Sequence, residues 1–279
     1  MYGTKLCLGV SDSFGLTQKE QIKLIKEAGF DAFFIEWNKD LSLPEIKDYA
    51  DSLNIEIQSV HAPFTKSADM WENGKKAEEA VNELLDCVSE CAEAGVKIVV
   101  CHAIIGFDRF EPNETGAENF KKVIEEAKKS GVKIAFENTE GEMYLKRLMD
   151  EFKNYDNVGF CWDSGHEQCY NHSKDMLALY GDRLIATHLN DNLGISDFDG
   201  KIFWTDDLHL LPFDGIIDWK DAVIRLNKCG YNGILTLELS KTSKPGRHEN
   251  DKYANMNISE YIAECYNRAC RIAYLKRNV

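Results

Sequence analysis

Apolar and polar positions along this chain follow two rhythms. Short runs rich in β-branched, aromatic and aliphatic residues recur at Lys5–Val10, Ala32–Ile35, Ile55–Val60, Lys97–Cys101, Lys133–Phe136, Val158–Trp162, Leu184–Thr187 and Ile234–Leu237. Between them lie longer Lys/Glu-rich stretches with helical spacing. These are Thr17–Ala28, Ser42–Leu53, Gly74–Ala94, Gly116–Ser130, Glu142–Phe152, Ser173–Tyr180, Asp218–Cys229 and Ile258–Leu275. The short runs are almost continuously apolar, as parallel strands covered on both faces should be. Eight strand–helix units predict one α/β domain over residues 1–279, a single (β/α)8 TIM barrel of parallel strands. An open doubly wound sheet is the alternative. No Gly-x-Gly-x-x-Gly follows the first run and no Walker motif is present, so a nucleotide-binding fold lacks support.

Local signals agree with the helices. Thr17 with Glu20 reads as a capping box. Gly29, Gly95, Gly131 and Gly230 each close a helical stretch just before the next run. Pro44 sits inside the first turn of the second helix, where its missing N–H is harmless.

The residues after the apolar runs carry the chemistry. Ile35 is followed by Glu36, Val60 by His61, Cys101 by His102, Phe136 by Glu137, Trp162 by Asp163, Thr187 by His188 and Leu237 by Glu238. In a parallel barrel these ends share one face, where barrel enzymes work. A carboxylate or imidazole leaving a buried strand loses hydration unless a metal or substrate satisfies it. Asp207-Leu208-His209 adds two such groups that point the same way if the segment is extended. At the sixth strand end, Asp163 is followed by a flexible Ser164-Gly165 pair and His166. His172 and His248 read as ordinary surface residues.

The set Ser59-Val60-His61-Ala62-Pro63, Ala135-Phe136-Glu137-Asn138, Trp162-Asp163-Ser164-Gly165-His166, His188-Leu189-Asn190-Asp191-Asn192, Asp207-Leu208-His209-Leu210-Leu211-Pro212 and Leu237-Glu238 resembles the xylose-isomerase-like barrel superfamily. That superfamily unites sugar and sugar-phosphate isomerases and epimerases with endonuclease IV-type apurinic endonucleases. The resemblance to ketose epimerases implies Glu137, Asp163, His188 and Glu238 as divalent-metal ligands, with Glu137 and Glu238 also the catalytic acid/base pair and His166 a substrate contact. The resemblance to the trinuclear endonucleases implies a larger set. His61, His102 and Glu137 would hold one metal, and Glu137, Asp163, His188 and Glu238 a second. His166, Asp207 and His209 would hold the third. One departure from the epimerases stands out. They place a substrate-binding arginine shortly after the residue matching His188, whereas here no arginine follows until Arg225.

Composition narrows the choice. Lys+Arg number 33 and Asp+Glu 47, a formal net charge of −14, which argues against a nucleic-acid partner or an anionic membrane surface. Lys39, Lys66 and Arg109 in the first four post-strand loops face Asp12, Glu36, Asp40, Asp69, Asp108 and Glu111. One metal leaves the cup anionic, which suits a neutral polyol. Three make it cationic, which suits a phosphodiester. Carboxylate and imidazole without thiolate fit Mn, Co, Zn or Mg. The segment Ser240–Lys252 carries Lys241, Lys244, Arg247, His248 and Lys252, a phosphate grip or a solvated loop. Phe14, Trp37, Phe64 and Trp204 are available to stack on a sugar face, and His61 to contact substrate.

The expected function is therefore metal-dependent isomerisation or epimerisation of a sugar, sugar phosphate or related polyol through an enediolate, with Glu137 and Glu238 moving the proton. A metal-dependent lyase on a keto-sugar is a close variant, and a trinuclear apurinic endonuclease the alternative. Nine cysteines without a Cys-x-x-Cys pair, no apolar signal core and no membrane-length run point to a reduced, cytoplasmic chain. A homo-oligomer is left open.

Overall fold

A computed structural model describes residues 3–107 and 111–279. Asp108 and Arg109, counted in the loop charges above, lie outside the described residues. Eight strands run in parallel: β1 (Leu6–Gly9), β2 (Ala32–Glu36), β3 (Glu56–His61), β4 (Ile98–His102), β5 (Lys133–Glu137), β6 (Val158–Asp163), β7 (Leu184–His188) and β8 (Leu235–Leu237). Each pairs with its sequence neighbour from β1 to β7, and β8 pairs with β1. Closure between β7 and β8 runs through Leu189, whose N–H donates to the Thr236 carbonyl (2.7 Å) and whose carbonyl accepts from Glu238 N (3.2 Å). The (β/α)8 barrel expectation holds.

Around it pack α1 (Gln18–Ala28), α2 (Leu43–Ser52), α3 (Lys75–Glu93), α4 (Glu114–Lys129), α5 (Glu142–Glu151), α6 (Ser164–Cys169), α7 (Met176–Tyr180), α8 (Trp219–Lys228) and α9 (Ile258–Arg277). The Thr17–Glu20 capping box forms, and Gly29, Gly95, Gly131 and Gly230 all take positive φ. None of the described helices is long and apolar enough to cross a membrane.

Two features depart from the sequence expectation. A helix not read from the sequence, α6, precedes the sixth helical stretch, and the Ser164-Gly165 pair opens it. Asp163 is its N-cap, with Oδ1 accepting from His166 N at 2.6 Å, so the side chain nucleates a helix instead of a loose turn. Glycine is required at 165 because a Cβ there would lie 1.9 Å from Asn190 Oδ1. Secondly, the ionisable residues mostly do not follow the strands. Glu36, His61, His102, Glu137, Asp163 and His188 are themselves the last strand residues, and only Glu238 lies beyond its strand.

The alternation of strand side chains explains how they are aimed. Most of the core lies between barrel and helices and includes Leu8, Phe33, Ile35, Phe136, Phe160 and Trp162. The barrel interior is filled by smaller clusters: Cys7, Ala32 and Phe34, then Val100, Ala135, Cys161 and Ala186. Glu36, His102, Glu137, Asp163 and His188 each lie two positions after one of these interior residues. They form the next layer of the same inward face. All nine cysteines are free, and seven are buried.

Candidate metal centre

The strand ends converge into one buried cup. Among the described residues, four groups place a ligand atom from each member within 4.8 Å of the others: His61–His102–Glu137, Glu137–Cys161–His188, Glu137–Asp163–His188–Glu238 and His166–Asp207–His209. Glu137 belongs to all but the last. Strand register makes this possible, since His102 pairs with Glu137 and Asp163 with His188.

Glu137 is 1% exposed and sits at the centre. Its Oε1 lies 2.9 Å from His188 Nδ1 and 3.6 Å from His166 Nδ1. Its Oε2 faces His61 Nε2 at 3.4 Å and His102 Nε2 at 3.3 Å, yet makes no hydrogen bond. Glu238 Oε2 approaches His188 Nδ1 from the other side, at 3.0 Å. His166 Nε2 lies 3.5 Å from Asp207 Oδ1, and His209 Nε2 2.7 Å from Asp207 Oδ2.

The donor set fits a divalent cation. His61 Nδ1 lies 2.8 Å from the Ala62 carbonyl, which can only accept, so Nδ1 carries the hydrogen and Nε2 offers a lone pair to the cup. His209 is set the same way by the Glu238 carbonyl at 3.3 Å. Glu137 Oε2, His166 Nδ1 and Asp207 Oδ1 are buried without hydrogen-bond partners. Unsatisfied buried ligand atoms aimed at one another are what a cation would satisfy.

Electrostatics agrees. Burial opposes ionisation of Glu137, but His188, His102 and His61 hold it well below the usual carboxylate range. Against burial, His188 brings Glu238 down to about 2, and His209 and His166 hold Asp207 well down. Burial opposes charging of the imidazoles too. Asp163 and Asp207 nevertheless raise His166 far up, Glu238 and Glu137 do so for His188, and Asp207 lifts His209 to about 9. Asp163 differs, because burial pushes it up to about 7 with Glu137 and Glu238 adding and His166 opposing. Without metal, protons on histidine neutralise the carboxylates.

Three residues to which no role was assigned from the sequence brace the cup. Asn138 Nδ2 donates to the Asp163 carbonyl and Oδ1 accepts from Asp163 N, both at 2.8 Å. Asn190 Nδ2 donates to Asp163 Oδ2 (2.8 Å), and Ser164 Oγ donates to the Asn190 carbonyl (2.7 Å). The available signal was a fully buried amide beside a ligand in Glu137-Asn138 and His188-Leu189-Asn190.

A cleft of about 350 Å³ opens onto His61, His209 and Glu238. Phe34 and Phe64 line it. Phe14 and Trp37 do not. Phe14 packs edge-on against Tyr261 at 5.7 Å, and Trp37 is buried. Trp204 is exposed beneath Lys244, with Nζ 5.6 Å from the ring centroid. The basic segment after β8 disperses. Arg247 pairs with Asp206 (3.0 Å), Lys252 with Asp214 (2.9 Å) and exposed His248 with Asp251 (2.8 Å). Lys241 Nζ donates to the Ala254 carbonyl. Lys244 alone of these reaches the cleft, 3.6 Å from Asp207 Oδ2. Arg225 is held by Glu167 (2.9 Å) and Asp175 (3.0 Å), so it does not replace the arginine missing after His188. His172 is exposed.

Residues 22–258 match the family model described as xylose isomerase-like TIM barrel. The chain belongs to that family. A relative from Sinorhizobium fredii, the uncharacterized protein y4fM, is 30% identical over 232 residues, covering 67% of this chain and 74% of its own length. Among solved structures, IolI protein with a bound zinc atom superposes with a TM-score of 0.76 at 20% identity, over 96% of this chain and 98% of that one. D-psicose 3-epimerase with D-tagatose, from Clostridium cellulolyticum, gives 0.68 at 17% identity over 98% of both chains. The chain spans 41% of a longer fusion of a xylose isomerase-like barrel with 4-hydroxyphenylpyruvate dioxygenase, using 90% of its own length (TM-score 0.67, 17% identity).

Proposed function

We propose that this chain is a metal-dependent isomerase or epimerase of a sugar or related polyol. The observation that carries the reading is the pair of glutamates, from β5 and from just beyond β8, flanking His188 Nδ1 at 2.9 and 3.0 Å within a four-ligand group. Glu137, Asp163, His188 and Glu238 would hold one divalent ion, Mn, Co, Zn or Mg. Such an ion supplies Lewis-acid polarisation of a carbonyl and neutralises charge developing on the neighbouring oxygen.

The chain's own residues divide the remaining work. Glu238 lines the cleft and is held ionised by His188, so it is positioned as the base that takes the proton from the carbon beside the carbonyl. Glu137, buried at the centre of the cup, would return the proton on the other side. His166, buried with Nδ1 unpartnered, is available to orient a substrate hydroxyl. His61 borders the cleft and makes a second polar contact. The same proton abstraction can end in elimination, the lyase variant. The epimerase among the structural neighbours supports this reading, and so does the zinc in IolI protein. In metal-loaded protein, deuterium from D2O should enter the carbon-bound positions of a ketose, and Glu238→Gln and Glu137→Gln should slow it by about 100-fold or more. Full exchange in both variants sinks the assignment.

A second reading rests on a specific observation: three of the metal-capable groups in the cup, built from carboxylate and imidazole alone, match the trinuclear set. Three ions would suit phosphodiester cleavage of the apurinic-endonuclease type. Elemental analysis decides between them, because one metal per chain excludes the trinuclear reading.

A further inference from the structure

Seven strand ends carry an ionisable side chain, and six of them join a metal-capable group. Glu36, the last residue of β2, joins none. Its register sets it level with His61 on β3, and Phe34 two positions earlier belongs to the barrel interior, so Glu36 faces inward. It lines the cleft together with Glu238. Among the described residues its carboxylate has charged neighbours but no hydrogen-bond partner. Glu36 is exposed at the cleft, and partial desolvation there lifts its carboxyl above the usual range, with His61 opposing and Glu238 and Asp12 adding.

The cleft around it is rich in neutral donors and acceptors, and its cationic groups are already engaged. Ser11, Gln18, Asn38 and Ser240 line it beside three carboxylates, Asp12, Glu36 and Glu238. Among the described lining residues the single lysine is Lys244, already engaged with Asp207 and Trp204. The imidazoles that line the cleft, His61 and His209, are turned to Glu137 (3.4 Å) and Asp207 (2.7 Å), so a phosphate or carboxylate on the substrate would face Asp12 and Glu36, whereas hydroxyls would find acceptors.

Building on the isomerase/epimerase reading, we propose that Glu36 determines the substrate class. Its carboxylate accepts hydroxyl hydrogens from the part of the substrate remote from the reacting carbons, and it restricts the cleft to uncharged polyols, turning away phosphate esters and sugar acids.

The test uses full-length protein loaded with Mg2+, in D2O, with a panel of ketohexoses, hexitols and their 6-phosphates. Ligand-observed NMR reads binding and carbon-bound deuterium exchange in the same samples. Neutral members should bind more tightly than their phosphates. Glu36→Gln and Glu36→Ala should weaken neutral binding by about 10-fold or more, the worth of a hydrogen bond to a charged group. They should also narrow the neutral-to-phosphate ratio while metal content and melting temperature stay unchanged. Tighter phosphate binding by the unaltered protein, a ratio that neither variant shifts, or no binding of any neutral member overturns the proposal. Binding with the expected ratios but without exchange removes the isomerase reading and leaves the role of Glu36 standing.

Discussion

The two mouths of this barrel use the same residue types and do opposite things with them. At the N-terminal mouth a cavity of about 660 Å³ is lined by Lys5, Lys26, Lys47, Asp31, Asp51 and Glu56. Their charges are largely partnered and wet. Lys5 meets Glu56 at 2.6 Å with side chains 58% and 47% exposed, Lys47 pairs with Asp51 one helical turn away, and Lys26 donates to the Asn54 carbonyl. At the C-terminal mouth the cleft is about half that size, but its carboxylates and imidazoles are buried and several atoms lack partners. Cavity size therefore does not mark the candidate site. Buried, mutually facing ligand atoms do, because water satisfies the first set and not the second.

This contrast predicts a graded series of responses. The largest belongs to Glu238→Gln, expected to lower kcat for exchange by about 100- to 10,000-fold, the usual range for a positioned acid or base. A mass-spectrometric deuterium assay checks it. Metal affinity should come next. Protons on His166, His188 and His209 compete with metal, and His209 holds its proton up to about 9. Affinity should therefore rise with pH, by about tenfold per unit for each proton displaced, and fall as acid restores the protons. Calorimetric Mn2+ titrations at pH 6 and 8, in buffers of different ionisation enthalpy, count those protons. A flat profile would remove the histidines from the ligand set.

A smaller effect is expected where burial stabilises the loop that carries Asp207 and His209. Asp191 is fully buried and accepts from Asn192 N, Ile217 N, Phe213 N and Trp219 Nε1 at 2.8–3.1 Å. Asp191→Ala strands those donors and should destabilise by about 3 kcal/mol, read from the urea midpoint. The smallest effect belongs to the other mouth. Glu56→Gln should change stability by less than about 1 kcal/mol, since an exposed ion pair contributes little. If Glu56→Gln and Asp191→Ala prove equally damaging, burial is the wrong criterion for separating the two mouths.

Much of this was legible in the chain. All eight strands and all eight helical stretches coincide with observed elements, and only the short α6 was not read, because apolar runs and capping residues act through near neighbours. The strand-end residues were legible too, since a charge abutting an apolar run is a local anomaly. Where three-dimensional neighbours decide, reading failed. Asp207 and His209 meet at 2.7 Å, but not through a plain extended segment, because His209 takes φ 47°. Phe14 looked available for stacking and instead packs beneath α9. The basic run after β8 looked like one patch, yet its charges turn to Asp206, Asp214 and Asp251.

By itself the sequence determined the parallel barrel and the inventory of groups at its C-terminal mouth. Both follow from periodicity and from the cost of ending a buried strand in a polar side chain. Tertiary structure alone decided which groups meet. Register shifts at Phe33/Phe34 and Phe160/Cys161 set Glu36 level with His61 and Asp163 level with His188. They leave Glu137 shared among three groups and Glu36 in none. Register is a property of paired strands, and a single strand carries no record of its partner's offset.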